Sequence, residues 1–210
     1  MAKEVIKCFG CSFTNHGLTQ WPTWVDFLKI SSKSRYKVEN YGLSGSANEY
    51  ICRQILKKVD NNDTVVVMWS AFDRTHSQLY LEKQKSNQGK FLPEEQQVDK
   101  FGVTLQQLYE RTLEYIWTAN QFCKNKNIRI INLSMTILNM GESQKENNFK
   151  NHLDIDYSSW PIDLSSFCLE NLPVFNVEND THPTPSQAYR YHKEIICPIL
   201  KINPFVLSDD

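Results

Sequence analysis

The chain has 210 residues, 23 Lys and Arg against 24 Asp and Glu, and 40% hydrophobic residues. This size suits a single domain, 1–210, because roughly 150 residues per domain is usual. The formal net charge of −1 offers no positive surface for phosphates, which argues against a nucleic-acid partner. The longest apolar runs fall well short of the roughly 20 residues that span a membrane, and the first residues, MAKEVIKC, lack the apolar stretch of a signal peptide. We therefore expect a cytoplasmic protein without a membrane partner.

The six cysteines are expected to be reduced thiols, because they lie far apart and no secretion signal precedes them. Cys8 and Cys11 form a C-x-x-C motif. A structural zinc site needs four ligands, usually from two such pairs, and the sequence has no second pair. We favour the interpretation that Cys8 is a small buried residue on a strand, with a metal or redox role as the lesser alternative. No cofactor is expected.

The first part of the chain alternates predicted strands and helices. Glu4 to Phe9 is short, β-branched and aromatic, and it runs into a glycine as a strand entering a turn does. Trp21 to Ile30 carries apolar residues at helical spacing, and Tyr36 to Tyr41 predicts a second strand. Ser46 to Val59 predicts a second helix, with Ser46 as its N-cap and a glutamate three residues later completing a capping box.

The alternation continues to the end of the chain. Five consecutive apolar residues at Val65 to Trp69 predict a central strand buried on both faces. Thr104 to Asn125 predicts a long helix, Ile128 to Leu133 a fourth strand, Val174 to Val177 a weaker fifth, and Ser186 to Leu200 a closing helix. Such alternation indicates an α/β fold: a three-layer α/β/α sandwich around a mainly parallel sheet of about five strands. Ligands of these sheets bind beyond the carboxyl ends of the strands.

Two short motifs carry groups suited to nucleophilic catalysis. GCSFT at 10–14 places Ser12 on the turn after the first predicted strand, and NDTHP at 179–183 places an acid and a histidine before the last helix. A serine hydroxyl becomes a good nucleophile when a base accepts its proton and a carboxylate orients that base. Taken alone, Ser12 can equally cap a helix, and the second motif can be an ordinary surface turn.

Together with NYGLSGSAN at 40–48 and VMWS at 67–70, these motifs resemble the SGNH (GDSL-like) hydrolase family in composition, order and spacing. The resemblance runs from the first strand to the last helix and is closest to the short bacterial and phage members. It implies the flavodoxin-like SGNH fold and a serine esterase that forms an acyl-enzyme. Ser12 then matches the nucleophile, His182 the general base and Asp180 the acid that orients it. The backbone N–H groups of Ser12 and Gly45 match two donors of the oxyanion hole, where a glycine permits close approach.

Two positions depart from the family pattern. The third block usually reads Gly-x-Asn-Asp after the central strand, and here it reads WSAFDR at 69–74. Asn48 is the favoured replacement for the missing amide, with Ser70 and Arg74 as alternatives; otherwise Asn48 simply bonds to backbone in its turn. The acid usually lies three residues before the histidine, where this chain has Asn179, and Asp180 is favoured as the acid in its place.

Other polar residues are expected to be structural. The four remaining histidines are interpreted as surface or packing residues: His16, His76, His152 and His192. Three aspartates are interpreted as a solvated face rather than a metal site: Asp154, Asp156 and Asp163.

Two polar insertions, at about 75–103 and 135–172, follow the third and fourth predicted strands and are expected to wall the cleft. Their aromatic residues can stack on a sugar or line an acyl pocket, or else pack onto the core or form a homo-oligomer contact: Tyr80, Phe91, Phe149, Tyr157, Trp160 and Phe167. We expect a small-molecule or glycan acyl ester, such as an acetyl ester, as the substrate. Acyl or group transfer with the same triad and an inactive binding module on the same fold are the alternatives.

Overall fold

Within the residues that the structure describes, four strands form the centre. The computed structural model describes residues 4–15, 21–72, 74, 105–136, 153, 155, 159–171 and 182–205. The strands are β1 (Glu4–Gly10), β2 (Tyr36–Asn40), β3 (Thr64–Trp69) and β4 (Arg129–Ser134). The first helices along the chain are α1 (Trp24–Ser32), α2 (Asn48–Lys58), α3 (Leu105–Asn125) and α4 (Leu164–Asn171). A π-helical turn at His192–Ile196 then joins α5 (Pro185–Tyr191) to α6 (Cys197–Leu200).

The strands lie in the order β2-β1-β3-β4, and every described pair is parallel. β1 lies between two partners, so that Cys8 is in register with Asn40 on one side and with Val66 on the other. Because the strands are parallel, the loops that follow β1, β2, β3 and β4 all emerge at the same edge of the sheet. The topology therefore brings the motifs at 10–14, 40–48 and 67–70 to one edge.

Helices cover both faces of the sheet, which confirms the predicted α/β sandwich of three layers. α1, α4 and the C-terminal helices pack on one face, and α2 and α3 pack on the other. In β3, Val66 and Met68 face the first layer, whereas Val65, Val67 and Trp69 face the second, and all five are fully buried. The prediction of a strand buried on both faces is confirmed. None of the described helices is long and apolar enough to cross a bilayer.

The start of α2 differs from the prediction. Its N-cap is Ala47, so the capping box predicted at Ser46 is wrong. The Ser46 hydroxyl instead donates a hydrogen bond to the Gly10 carbonyl at 3.1 Å. The hydroxyl that the local sequence pattern assigns to the helix thus bonds instead to the carbonyl at the end of β1.

The later part of the chain is described only in part. The fifth strand predicted at 174–177 and the insertion at 75–103 lie outside the described residues. Within the predicted insertion at 135–172, Met135, Leu164 and Phe167 are buried in the core of the first face. Asp163 is buried rather than solvated, and its carboxylate accepts a bond from the Ser166 N–H at 2.9 Å at the start of α4. This stretch of the predicted insertion therefore completes the core.

An ion cluster lies near the amino end of β3. Lys7 is 6% exposed, and its ammonium lies 2.9 Å from a carboxylate oxygen of Asp60 and 2.9 Å from one of Asp63. Burial lowers the pKa of Lys7, but hydrogen bonds to Asp63 and Asp60 outweigh this effect, so the pKa is raised above its usual value. Because the Asp60 side chain is 85% exposed and the Asp63 side chain only 7%, the lysine chiefly neutralises Asp63.

Replacing the buried lysine is expected to destabilise the fold. In a Lys7→Met variant Asp63 keeps its burial but loses its cation, which should lower the free energy of unfolding by about 3 kcal/mol. The matched control is Lys29→Met, because Lys29 pairs with Asp26 at 3.2 Å on the surface, with both side chains more than 40% exposed. The control should lose less than about 0.5 kcal/mol. Urea denaturation measures both, and equal losses would contradict the role given to Lys7.

A second buried polar group joins the C-terminal helices to α1. His192 is fully buried, and its Nε2 shares a hydrogen bond of 2.7 Å with the Ser31 hydroxyl. The Cys197 sulfur lies 3.3 Å from the same nitrogen. Burial lowers the pKa of His192 to about 4. This histidine packs inside the protein, as the sequence analysis allowed.

The buried histidine should make stability depend on pH. The unfolded chain binds a proton at His192 near pH 6.5 and the folded chain only near pH 4, so the stability is full above about pH 6.5 and is lost as the pH falls towards about 4. The loss from this group is about 3 kcal/mol. A His192→Gln variant lacks this pH-dependent loss of stability. The stability difference between wild type and variant, measured by urea denaturation, should therefore shrink from pH 7 to pH 4; a constant difference would contradict this assignment.

Candidate active site

Ser12 lies on a tight turn directly after β1. The N–H groups of Thr14 and Asn15 both donate to the Cys11 carbonyl at 3.0 Å. The described residues 11–15 form this turn, and the next described helix, α1, begins only at Trp24. Ser12 is 4% exposed. The turn therefore holds the serine at the carboxyl edge of the sheet, directly after the first strand, as the sequence analysis expected.

Two glycines make room for this turn. A Cβ at Gly10 would lie 2.1 Å from the Thr14 hydroxyl oxygen and 2.9 Å from the Met68 carbonyl oxygen. A Cβ at Gly42 would lie 2.9 Å from Cγ2 of Thr14. All three contacts are closer than side chains tolerate, so only glycine lets the strand, the turn and the next loop pack together here.

The loop that carries Gly45 is hydrogen-bonded to Gly10. The Gly10 carbonyl accepts a bond from the Leu43 N–H at 3.0 Å, besides the one from the Ser46 hydroxyl. The Ser46 N–H closes the loop on the Leu43 carbonyl at 3.0 Å. Gly45 itself is exposed and has a φ of 76°, a conformation that glycine adopts without strain. The Gly45 loop is thus held beside the Ser12 turn.

Asn40 and Asn15 link the loops that follow β1 and β2, a role that the sequence analysis missed. The Asn40 side chain donates to the Thr14 carbonyl at 2.9 Å and accepts from the Gly42 N–H at 2.9 Å. Asn15 donates to the Gly42 carbonyl at 2.9 Å. These bonds join the loops after β1 and β2. An asparagine two residues before a glycine at a strand end is the only signal in the sequence, and it is equally typical of an ordinary turn.

His182 meets the Ser12 turn from the far end of the chain. Its ring lies 5.1 Å, centroid to centroid, from the ring of Phe13. Pro183, the next residue, lines the same crevice as Ser12. The structure therefore brings the two predicted motifs to one place. Asp180 and Asn179 lie outside the described residues, so the identity of the acid stays a prediction.

Asn48 bonds to the backbone of the loop after β3 rather than to the backbone of its own turn, which was the alternative kept in the sequence analysis. It is 2% exposed, its Oδ1 accepts from the Ser70 N–H at 2.8 Å, and its Nδ2 donates to the Ser70 carbonyl at 2.9 Å and to the Thr112 hydroxyl at 3.3 Å. These bonds use both amide hydrogens. A role as third oxyanion donor stays a prediction that requires Asn48 to exchange one of them.

The two alternatives to Asn48 lie directly after β3. Ser70 is fully buried, and its hydroxyl has no hydrogen-bond partner among the described residues. Arg74 is half-buried and follows a turn closed by its N–H on the Ala71 carbonyl at 3.3 Å. Unlike the Asn48 amide, the Ser70 hydroxyl is therefore uncommitted within the described part of the chain.

The cysteines of the C-x-x-C motif are packed as apolar residues. Cys8 is fully buried in β1, and burial raises the pKa of its thiol. Cys11 is also fully buried, and its sulfur lies 3.4 Å from the sulfur of Met135. The interpretation of Cys8 as a small buried strand residue is confirmed. Among the described residues, His, Cys, Asp and Glu form no group of three that could hold a metal ion.

A crevice opens beside Ser12. Its enclosed part has room for about one water molecule. Its lining comes from Ser12, Phe13 and the residues that lead into α1, together with Leu164, Pro183 and Ala188. For Phe167 the sequence analysis left a cleft position and a core position open, and the structure buries it in the core against Tyr191, with ring centroids 5.3 Å apart. The described cleft beside Ser12 is therefore small and walled by core elements.

No protein-family model matches the chain, and no curated protein matches it. Solved structures share its fold. An acetyl xylan esterase, AlAXEase, gives a TM-score of 0.58 over 93% of this chain and 99% of its own, at 14% identity. TesA gives 0.58 over 94% and 98%, at 14% identity. A protein assigned to the lipolytic G-D-S-L family from Desulfitobacterium hafniense gives 0.53 over 94% and 99%, at 13% identity. The chain has the three-layer α/β fold of GDSL-like hydrolases, as the resemblance implied.

Replacing Asn48 tests its structural role in binding Ser70 against its predicted role as an oxyanion donor. Asn48→Ala leaves the buried N–H and carbonyl of Ser70 without their partner, which should lower the free energy of unfolding by about 2 to 3 kcal/mol. Asn132→Ala is the control, because Asn132 bonds the buried Trp69 at 2.9 Å and the half-buried Asn120 at 2.9 Å, but lies in β4 away from the Ser12 turn. Thermal unfolding measures both. An Asn48→Ala protein of unchanged stability would contradict the structural role and favour the oxyanion hole.

Proposed function

We propose that the protein is a serine hydrolase that cleaves small acyl esters through an acyl-serine intermediate. The observation that carries the proposal is the convergence of the Ser12 turn, the Gly45 loop and His182 at the carboxyl edge of a parallel sheet. Those three segments supply a nucleophile, backbone N–H donors and a base. Structures of the same fold include enzymes described as esterases, among them an acetyl xylan esterase, which supports ester hydrolysis as the reaction class.

The reaction assigns each segment one task. His182 accepts the proton of the Ser12 hydroxyl as its oxygen attacks the ester carbonyl carbon. The carbonyl oxygen becomes an oxyanion, which the N–H groups of Ser12 and Gly45 stabilise, each donor contributing about 3 to 4 kcal/mol. The intermediate collapses, the carbon–oxygen bond to the alcohol breaks, and His182 returns the proton to the leaving alcohol. Water then attacks the acyl carbon while His182 accepts its proton, the bond between this carbon and Ser12 Oγ breaks, and His182 returns the proton to Oγ as the carboxylic acid leaves.

The acid of this proposal is Asp180. A carboxylate beside His182 fixes the tautomer of the imidazole and stabilises the imidazolium that forms after proton transfer. A neutral amide at Asn179 orients the ring but does not stabilise its charge. Single substitutions at the two positions therefore test which residue is the acid. Asp180→Asn should lower the turnover rate by orders of magnitude, whereas Asn179→Ala should not.

The proposal is tested by covalent labelling of Ser12. A fluorophosphonate probe should label wild type and fail to label Ser12→Ala, and wild type should hydrolyse p-nitrophenyl acetate with a burst of one product per enzyme if deacylation is slow. Ser44→Ala is the matched control, since Ser44 lies at the same edge in the Gly45 loop and is part-exposed. It should keep full labelling.

The base is tested in the same assay. His182→Ala should lower the rate of labelling and of ester turnover by at least about a thousandfold, and His192→Gln should leave both within a few-fold at pH 7, because His192 lies among α1, α5 and α6. The opposite ranking would mean that the wrong base was chosen. No labelling of folded wild type and no turnover of the activated ester would favour a binding module that keeps the fold without the reaction.

A further inference from the structure

We propose that Phe13 is a positioning residue for the base: its ring holds the imidazole of His182 in the orientation from which it accepts the proton of Ser12. This inference rests on the proposed hydrolase function and adds a residue to it. The centroids of the two rings lie 5.1 Å apart, and the ring planes are inclined by 42°, a separation at which aromatic side chains pack in preferred geometries. Because Phe13 directly follows Ser12 in the chain, one turn carries both the nucleophile and the group that orients its base.

The ring of Phe13 is held at both its backbone and its side chain. Its backbone lies inside the turn that the N–H groups of Thr14 and Asn15 close on the Cys11 carbonyl, each at 3.0 Å. The side chain is 6% exposed and belongs to the core on the first face of the sheet. Side chains in a close-packed core sit in low-energy rotamers with few voids beside them. Phe13 therefore offers a rigid surface to the ring that packs against it.

The backbone of His182 is anchored on its C-terminal side, whereas its ring needs a further restraint. Pro183 follows it, and the residue before a proline is restricted to extended conformations. Thr184 then caps α5: its N–H donates to the Gln187 side chain at 2.8 Å, and its hydroxyl accepts from the Gln187 N–H at 3.3 Å. These constraints leave the side-chain torsions of the histidine undetermined, and the contact with Phe13 restricts them.

The orientation of the ring bears directly on the reaction. A base works only within hydrogen-bond reach of the proton that it accepts, about 2.6 to 3.2 Å between heavy atoms, and a misplacement of about 1 Å can lower a rate a hundredfold. An acid bonded to one ring nitrogen, the role proposed for Asp180, fixes the tautomer. Because a single hydrogen bond does not fix rotation about its own axis, the apolar contact from Phe13 supplies a restraint that the acid does not.

Replacing the ring of Phe13 tests the inference. Phe13→Leu keeps an apolar side chain but removes the ring, so kcat for p-nitrophenyl acetate should fall about tenfold while KM stays within about twofold. Phe167→Leu is the matched control, because Phe167 is 4% exposed in the same core and packs its ring on Tyr191; it should keep the kcat of wild type. A Phe13→Leu protein with wild-type kcat, or equal losses of kcat in both variants, would overturn the inference.

A double-mutant cycle separates an effect on the base from an effect on the turn. In a His182→Ala background the base is absent, so adding Phe13→Leu should leave the remaining rate of fluorophosphonate labelling unchanged, measured at a probe concentration high enough to follow this slow reaction. A further tenfold fall would mean that Phe13 acts on the Ser12 turn itself, and the positioning role would then be wrong.

A second variant covers the case in which Phe13→Leu fails to fold. Phe13→Met should show the same loss of kcat, because its flexible chain fills the space without a ring. A wild type that is labelled and active but whose kcat does not depend on Phe13 overturns the positioning role and leaves the hydrolase proposal intact. A folded wild type that is neither labelled nor active fails the hydrolase proposal itself.

Discussion

The arrangement of the candidate site depends on the backbone of Gly10. This residue ends β1 between two neighbouring strands, and its carbonyl accepts hydrogen bonds from both the Leu43 N–H and the Ser46 hydroxyl. On the opposite side it lies so close to Thr14 that a Cβ would collide with the threonine hydroxyl at 2.1 Å. One residue without a side chain therefore fixes the strand end, the nucleophile turn and the loop of Gly45 relative to one another. Any substitution at Gly10 separates elements whose spacing the proposed oxyanion hole requires.

Much of the fold follows from local patterns, because the forces that decide it are local or simply periodic. The five apolar residues of β3 belong to a strand buried on both faces, and the alternation of strands and helices gives the parallel sheet. The start of α2 could not be predicted in the same way. Ser46 precedes a helix and looks like its cap, but its hydroxyl donates a hydrogen bond to the carbonyl of Gly10, 36 residues earlier. An N-cap side chain accepts a hydrogen bond from a backbone N–H of the first helical turn, and tertiary contacts override this local bond without leaving a mark in the nearby sequence.

The candidate site likewise contains residues that local motifs identify and residues whose roles depend on distant partners. Ser12 and Gly45 are recognisable from motifs at strand ends, and His182 from the motif before the last helix, because their backbone settings are local. The tasks of Asn40, Asn15 and Asn48 depend on which loops meet, and an asparagine in a turn has the same sequence signature whether it closes its own turn or joins two others. Asn48 illustrates the difference: both of its amide hydrogens and its carbonyl serve residues in β3's loop and α3, 22 and 64 positions away. Pairing across such distances is decided by the assembled sheet rather than by the motif.

The groups that hold the loops around Ser12 in place share one property that bears on mechanism. Asn15, Asn40, Ser46 and the backbone of Gly10 and Gly42 carry no charge and do not titrate in the physiological range. The charged cluster of Lys7, Asp60 and Asp63 lies instead near the amino end of β3, away from the strand ends that carry the motifs. The hydrogen bonds described around the nucleophile turn therefore do not change over the range in which a histidine changes charge. We then expect a pH dependence of the reaction near neutrality to report on the proposed base and its acid partner, because these described bonds contain no group that titrates there.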